Sequence, residues 1–175
     1  MESLGTLSFP EHRMAAHTAR MYPVTTDDEP PRAGWYFFIA ASEPFEEPPV
    51  ADGDCSDFPN GAALYAEFEP VPLPAVDDFT GLDFALKEPY HPKHGEVYFT
   101  FDAWEARDVS DVRIGFLERD GSRYRVELSA VVHQVFEQPT ELRYSGWLQV
   151  TWGREQDAEP GAAPDPAALG GSGSA

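Results

Sequence analysis

Between Glu96 and Trp152 the chain alternates apolar and polar residues at the two-residue period of a half-buried β-strand, in four stretches separated by turn residues. They are 97–104 (VYFTFDAW), 112–118 (VRIGFLE), 122–136 (SRYRVELSAVVHQVF) and 142–152 (LRYSGWLQVTW). The connections are too short for a parallel crossover, so sequential stretches must pair antiparallel. A C-terminal four-strand meander follows, and the rest of the chain has to be built around it.

Facing residues of an antiparallel pair share one side of the sheet, so loop length decides which residues lie inside. A two-residue Asp120-Gly121 turn would set Phe116 against Arg125 and Ile114 against Glu127, mixing core with surface. A three-residue loop, Arg119-Asp120-Gly121, pairs Phe116 with Tyr124, Ile114 with Val126 and Val112 with Leu128. It also puts Gly121 where a left-handed residue is needed and Arg113 opposite Glu127. In the next hairpin a loop of Glu137 to Glu141 pairs Ala130 with Leu148, Leu128 with Val150 and Val126 with Trp152. The opposite face then carries Tyr98, Trp104, His133 and Trp147 among its charged residues, too aromatic for an ordinary solvated surface. Either a second layer covers that face or it binds something. Stretch 122–136 would span about 50 Å at ~3.3 Å per residue, so a bend is expected near Ala130 to Val132.

Upstream, Ser8-Phe9-Pro10-Glu11 has the S-x-x-E form of a capping box and predicts a short helix from Phe9 to Met21. The run Trp35 to Ala41 is apolar on both faces and predicts a strand covered on both sides; Ala63 to Glu69 and Leu82 to Leu86 predict two more. Residues 43–62 hold Pro, Gly and acids too densely for a regular element and read as a long acidic loop. The expected architecture is mostly β, an antiparallel β-sandwich or flattened barrel of about six to eight strands with one short N-terminal helix. One domain over 1–152 is expected, followed by a Gly/Ala/Pro tail over 153–175 that buries too little apolar area to order; its closing GGSGSA has the composition of a flexible linker.

Charge narrows the partners. The chain has a formal net charge of −19, and residues 25–88 hold 15 acids against only Arg32 and Lys87. Such a field repels nucleic-acid phosphates and anionic membranes and draws in cationic partners. No apolar run approaches the ~18 residues of a membrane span, and the N-terminus lacks the pattern of a secretory signal, so a cytoplasmic protein is expected. The single Cys55 cannot form an internal disulfide.

No nucleotide-binding, zinc or nucleophile motif is present. Asp52, Asp54, Ser56 and Asp57 invite a calcium reading, but an EF-hand loop from Asp52 would need Gly where Asp57 stands and Glu where Ala63 stands. His91 and His94 lack a further ligand at a metal-binding spacing. The best acid–base cluster is His133 with Glu127 and Asp102. No metal or cofactor is expected. The function expected is a non-enzymatic acidic binding protein that engages a basic protein partner, in the manner of an inhibitor or immunity-type protein, through Glu46, Glu47, Asp52, Asp54, Asp57 and Phe58 of the acidic loop. The alternative is a small-ligand or carbohydrate site on the sheet face, with Tyr98, Trp104, His133 and Trp147.

Overall fold

The computed structural model describes residues 3–41, 62–103 and 105–152, which form nine strands. They are β1 (Gly5–Phe9), β2 (His12–Thr25), β3 (Ala33–Ala41), β4 (Ala63–Val71), β5 (Asp83–Leu86), β6 (Thr100–Ala103), β7 (Glu105–Asp120), β8 (Arg123–Val132) and β9 (Thr140–Val150). The sheet runs β5-β7-β6-β4-β3-β2-β1-β9-β8, and β8 pairs back onto β7. It therefore closes into an eight-stranded antiparallel barrel, with β5 laid along one edge of β7. Leaving β5 aside, neighbours in space are neighbours in sequence everywhere except at the seam where β1 meets β9. Among the described residues no helix is long and apolar enough to cross a membrane.

An eight-stranded barrel is about wide enough for its own side chains to fill. Here Phe37, Phe101, Phe116, Tyr124 and Tyr144 do so, with Met21, Leu64 and Ile114 between them. The ends are stoppered. At one, the fully buried Phe79 stacks on Phe116 (centroids 5.0 Å apart) and on Trp152 (5.2 Å), edge-on to Trp35. At the other, Val135 is buried and Phe136 meets Phe9 edge-on at 5.1 Å. Glu105 and Arg107 face inward there too, being the register partners of Ala103 and Phe101.

The meander is present as β6 to β9, but its registers differ from expectation. The β7–β8 hairpin turns over two residues, Gly121 and Ser122, between the paired Asp120 and Arg123. A bulge at Leu117 takes up the extra residue, so Phe116 faces Val126, Ile114 faces Leu128 and Arg113 faces Ser129 rather than Glu127. Gly121 keeps its left-handed role at φ 61°. Alternation alone cannot distinguish a longer loop from a bulge, because both restore the same inner face. The β8–β9 pairing is displaced by six residues: Ala130 faces Leu142, Leu128 faces Tyr144 and Val126 faces Gly146. An even displacement preserves sidedness, so Leu148 and Val150 are still buried although their partners differ. The long irregular strand is β7, bulged between Ser110 and Arg113, and β8 ends at Val132.

The expected N-terminal helix is absent. Residues 12–21 lie in β2, hairpinned to β1 through Pro10 and Glu11. The cause of the misreading is a bulge at His17, which spaces the buried Met14, Ala16, Ala19 and Met21 at two, three and two residues. That spacing repeats after seven residues, as a helix face does. The strands at 35–41 and 63–69 likewise form no second layer, because β3 and β4 continue the same sheet round to closure.

Closure is tightest where the first strand meets the last. Gly5 faces Gly146, and a Cβ on Gly146 would lie 2.4 Å from Leu4 O and 2.5 Å from Gly5 Cα. Gly5→Ala and Gly146→Ala are each expected to lower stability by ~1–3 kcal/mol, the range for overpacking, seen as a lower urea midpoint with an unchanged m-value.

Candidate functional site

Of the residues singled out above, Glu46, Glu47, Asp52, Asp54, Asp57, Phe58 and Trp104 lie outside the described residues. Tyr98 is buried, its ring 5.9 Å from that of His91. Trp147 is half-buried on the outer side of β9, with the Arg123 guanidinium 5.4 Å from its ring centre. Its register partner on β8 is Arg125. His133 follows the end of β8, eight residues further on and so about 26 Å away at ~3.3 Å per residue. The structure thus does not bring Tyr98, His133 and Trp147 onto one platform.

His133 does have a hydroxyl partner. Its Nε2 is 2.9 Å from Ser110 Oγ, and Ser110 Oγ donates to Asp111 Oδ2 at 3.0 Å. The residue types are those of a hydrolase triad, but the wiring is reversed. A triad places the carboxylate on the histidine, leaving the other ring nitrogen to accept the serine proton. Here Asp111 takes that proton, so His133 Nε2 must be the donor to Ser110. The set fixes the bulge at Asp111, whose φ is 51°. Glu127, six residues back along β8, and Asp102, on β6, do not join it.

A second polar cluster forms where the wall changes strands. β6 is only four residues long, so the far half of β4 pairs instead with the segment before β6, Glu69 donating its N–H to Val97 O. The Glu69 side chain is 3% exposed and takes an ion pair from Arg32. Arg32 also reaches Asp28 at 2.6 Å, and His91 Nε2 lies 3.8 Å from Glu69 Oε1. His91 Nδ1 accepts the backbone N–H groups of Lys93 and His94, at 3.2 Å each, which leaves its proton on Nε2, toward Glu69. Hydrogen bonds from Thr26 and Arg32 hold the Asp28 carboxyl below its usual range, and those to Glu69 and Asp28 push the Arg32 guanidinium up. The cluster ties the β2–β3 turn, β4 and the 91–98 segment together.

The outer face of β2, β3 and β4 is the least ordinary surface. Register places Tyr22 beside Tyr36, and Arg20, Phe38 and Tyr65 in one row. The Tyr22 and Tyr36 rings meet edge-on at 5.9 Å, Arg20 lies over Phe38 at 5.4 Å, and Tyr65 is 6.4 Å from Phe68. Phe68 is 55% exposed, whereas the other four rings are half-buried. Glu67 and Asp102 flank them. Burial pushes the Asp102 carboxyl above its usual range, and desolvation does the same at Glu67 against the opposing pull of Arg20. Burial also raises the Tyr65 phenol. The signal for this face was available as outward positions of alternating strands, but it is hidden when 12–21 is read as helix and 35–41 as covered on both sides.

No protein-family model, no curated protein and no solved structure matches the chain.

Two outcomes follow from the charges. Arg32→Gln is expected to lower the denaturant midpoint more than Asp28→Asn, because it strips the cation from a carboxylate with little access to water, whereas Asp28 stands half in solvent. Asp102 binds its proton more readily in the folded than in the unfolded state, so its contribution is fully present below the unfolded pKa and is lost as pH rises through the folded one. Asp102→Asn is therefore expected to raise the melting temperature near pH ~7 and to leave it unchanged near pH ~2, in a thermal series read by circular dichroism.

Proposed function

We propose that the protein is a non-enzymatic binding module that engages a basic protein partner through the aromatic outer face of β2, β3 and β4. The observation that carries this is geometric: five aromatic rings share one outward face, Phe68 among them 55% exposed, and the half-buried Asp102 and the exposed Glu67 flank them. A desolvated carboxylate is poorly placed next to water-poor rings unless a cation joins it. Aromatic anchors inside a charged rim are also what energetic centres of protein interfaces are made of.

Of the chain's own cations, Arg20 lies on this face and attracts Glu67, and most of the others are committed elsewhere. Arg32, Arg107, Arg119, Arg123, Arg125 and Arg143 each already hold a carboxylate of this chain. The surplus of −19 is left for a partner, and the acids of 43–62, including Glu46, Glu47, Asp52, Asp54 and Asp57, add to the long-range attraction. An inhibitor or immunity-type protein, which meets a cationic surface, is the concrete form of this reading.

The test uses defined peptides of equal length, basic, neutral and acidic, each with one aromatic anchor, titrated by calorimetry at ~0.05 and ~0.5 M salt. Basic peptides are expected to bind, with affinity falling at the higher salt. Phe68→Ala and Tyr65→Ala are expected to weaken binding about tenfold or more, and Trp147→Ala to leave it unchanged. Equal binding of neutral and basic peptides, or equal losses in all three variants, would overturn the proposal.

A further inference from the structure

Among the described residues four glycines lie in strands, and three have a steric reason to be glycine. A Cβ on Gly5, Gly34 or Gly146 would come within 3.0 Å of backbone. Gly115, in the middle of β7, is the exception: a Cβ there would meet nothing nearer than Glu127 O at 3.9 Å, and its φ is not left-handed. Glycine inside a strand weakens the strand, and here packing does not require it. Gly115 lies in the floor of a groove of about 530 Å³ on the outer surface, lined from β5, β7, β8 and the start of β9. That volume lies in the range of small-molecule sites.

The register orders the groove's chemistry. Asp83 and Glu127 flank Gly115 on the two neighbouring strands, about 10 Å apart across two strand spacings. Two residues along β7, the next outward row is Arg113, Ser129 and Arg143. In the other direction lie Leu82 and the half-exposed Leu117. Arg113 has no ion pair among the described residues, nor does Asp83; Arg143 holds Glu141 at 3.0 Å, and Glu127 accepts Ser145 Oγ at 2.7 Å. Along one trough a positive row, with Glu141 beside it, is thus followed by a negative pair over Gly115 and then by an apolar end.

We propose that this groove binds a short zwitterionic peptide of dipeptide size. Its ammonium sits over Gly115 between Asp83 and Glu127, its carboxylate between Arg113 and Arg143, and an apolar side chain against Leu117 and Leu82. The spacing fits. The two charged rows stand two residues apart on β7, about 7 Å, and two residues of extended chain reach the same length. Guanidinium groups suit a carboxylate because their paired N–H donors match its two oxygens. The site is on the far side of the barrel from β3 and does not depend on the basic-partner reading.

The test is an amide NMR titration of the full chain with leucyl-leucine, its N-acetyl derivative and its C-terminal amide. The dipeptide is expected to shift the Gly115 amide and its cross-strand neighbours, and each blocked form to bind at least about fivefold more weakly. Gly115→Val, which fills the trough, is expected to weaken binding about tenfold or more, and Arg113→Gln about fivefold. If Gly115→Val fails to fold, Arg113→Gln and the blocked peptides still decide. No movement at Gly115 up to ~10 mM dipeptide, or equal affinity for the parent and both blocked forms, overturns the proposal.

Discussion

Everything in this structure depends on β1, five residues long, closing the sheet against β9. Without that seam the barrel would be an open sheet with two unpaired edges, a template for association with other chains. Two glycines face each other across it, and Tyr144, which faces Leu7 across the seam, donates its hydroxyl to Trp147 O of its own strand at 2.8 Å. Burial raises the Tyr144 phenol, so the hydroxyl stays protonated and able to donate. Where β1 runs out, β2 takes its place and pairs in parallel with β9 at Arg20–Gln149 and Met21–Val150. Closure also determines where function can reside. The interior is filled by aromatic and aliphatic side chains and stoppered at both ends, so recognition falls to the outward residues of the strands and to the connections.

The amount of this legible in the sequence follows from what alternation encodes. A period of two reports which side a residue faces, and most of the inward sets of β7, β8 and β9 were readable from it, whereas the run 35–41 shows no alternation and Phe68, which alternation groups with Leu64 and Ala66, is exposed. It does not report which strand is the neighbour, nor the bulges. Leu117 and His17 each insert one residue, and each misled the reading in a way that follows from the geometry: the first shifted a hairpin register, and the second made a strand imitate a helix. Barrel and sandwich were indistinguishable for the same reason, since the decisive contact joins residues 5–8 to 143–146, and no local pattern carries it.

The sites were less legible than the fold. Phe38 and Tyr65 become neighbours only through the β3–β4 register, and Arg20 joins them only because residues 12–25 are a strand. Glu69 reads locally as the polar end of a strand. It is buried because β6 is too short to pair with all of β4, which brings Arg32 and His91 over it. The groove at Gly115 has no signature in composition. A glycine becomes informative only once the space where its Cβ would stand is known.

The two outer surfaces are related by the circuit of strands. In the order β2, β3, β4, β6, β7, β8, β9 and β1, the aromatic face centres on β3 and the groove on β7 and β8, nearly half a turn away. Between them stands a packed core with Phe37 on one wall and Phe116 on the other, both fully buried. Coupling between sites needs an element with two alternative arrangements that both sites bias. A closed ladder around a filled interior gives the strands little room to slide, because a one-residue slip would turn every inward side chain outward. The barrel is thus a rigid spacer between the two proposed surfaces, and occupancy of one is expected to leave the affinity of the other unchanged.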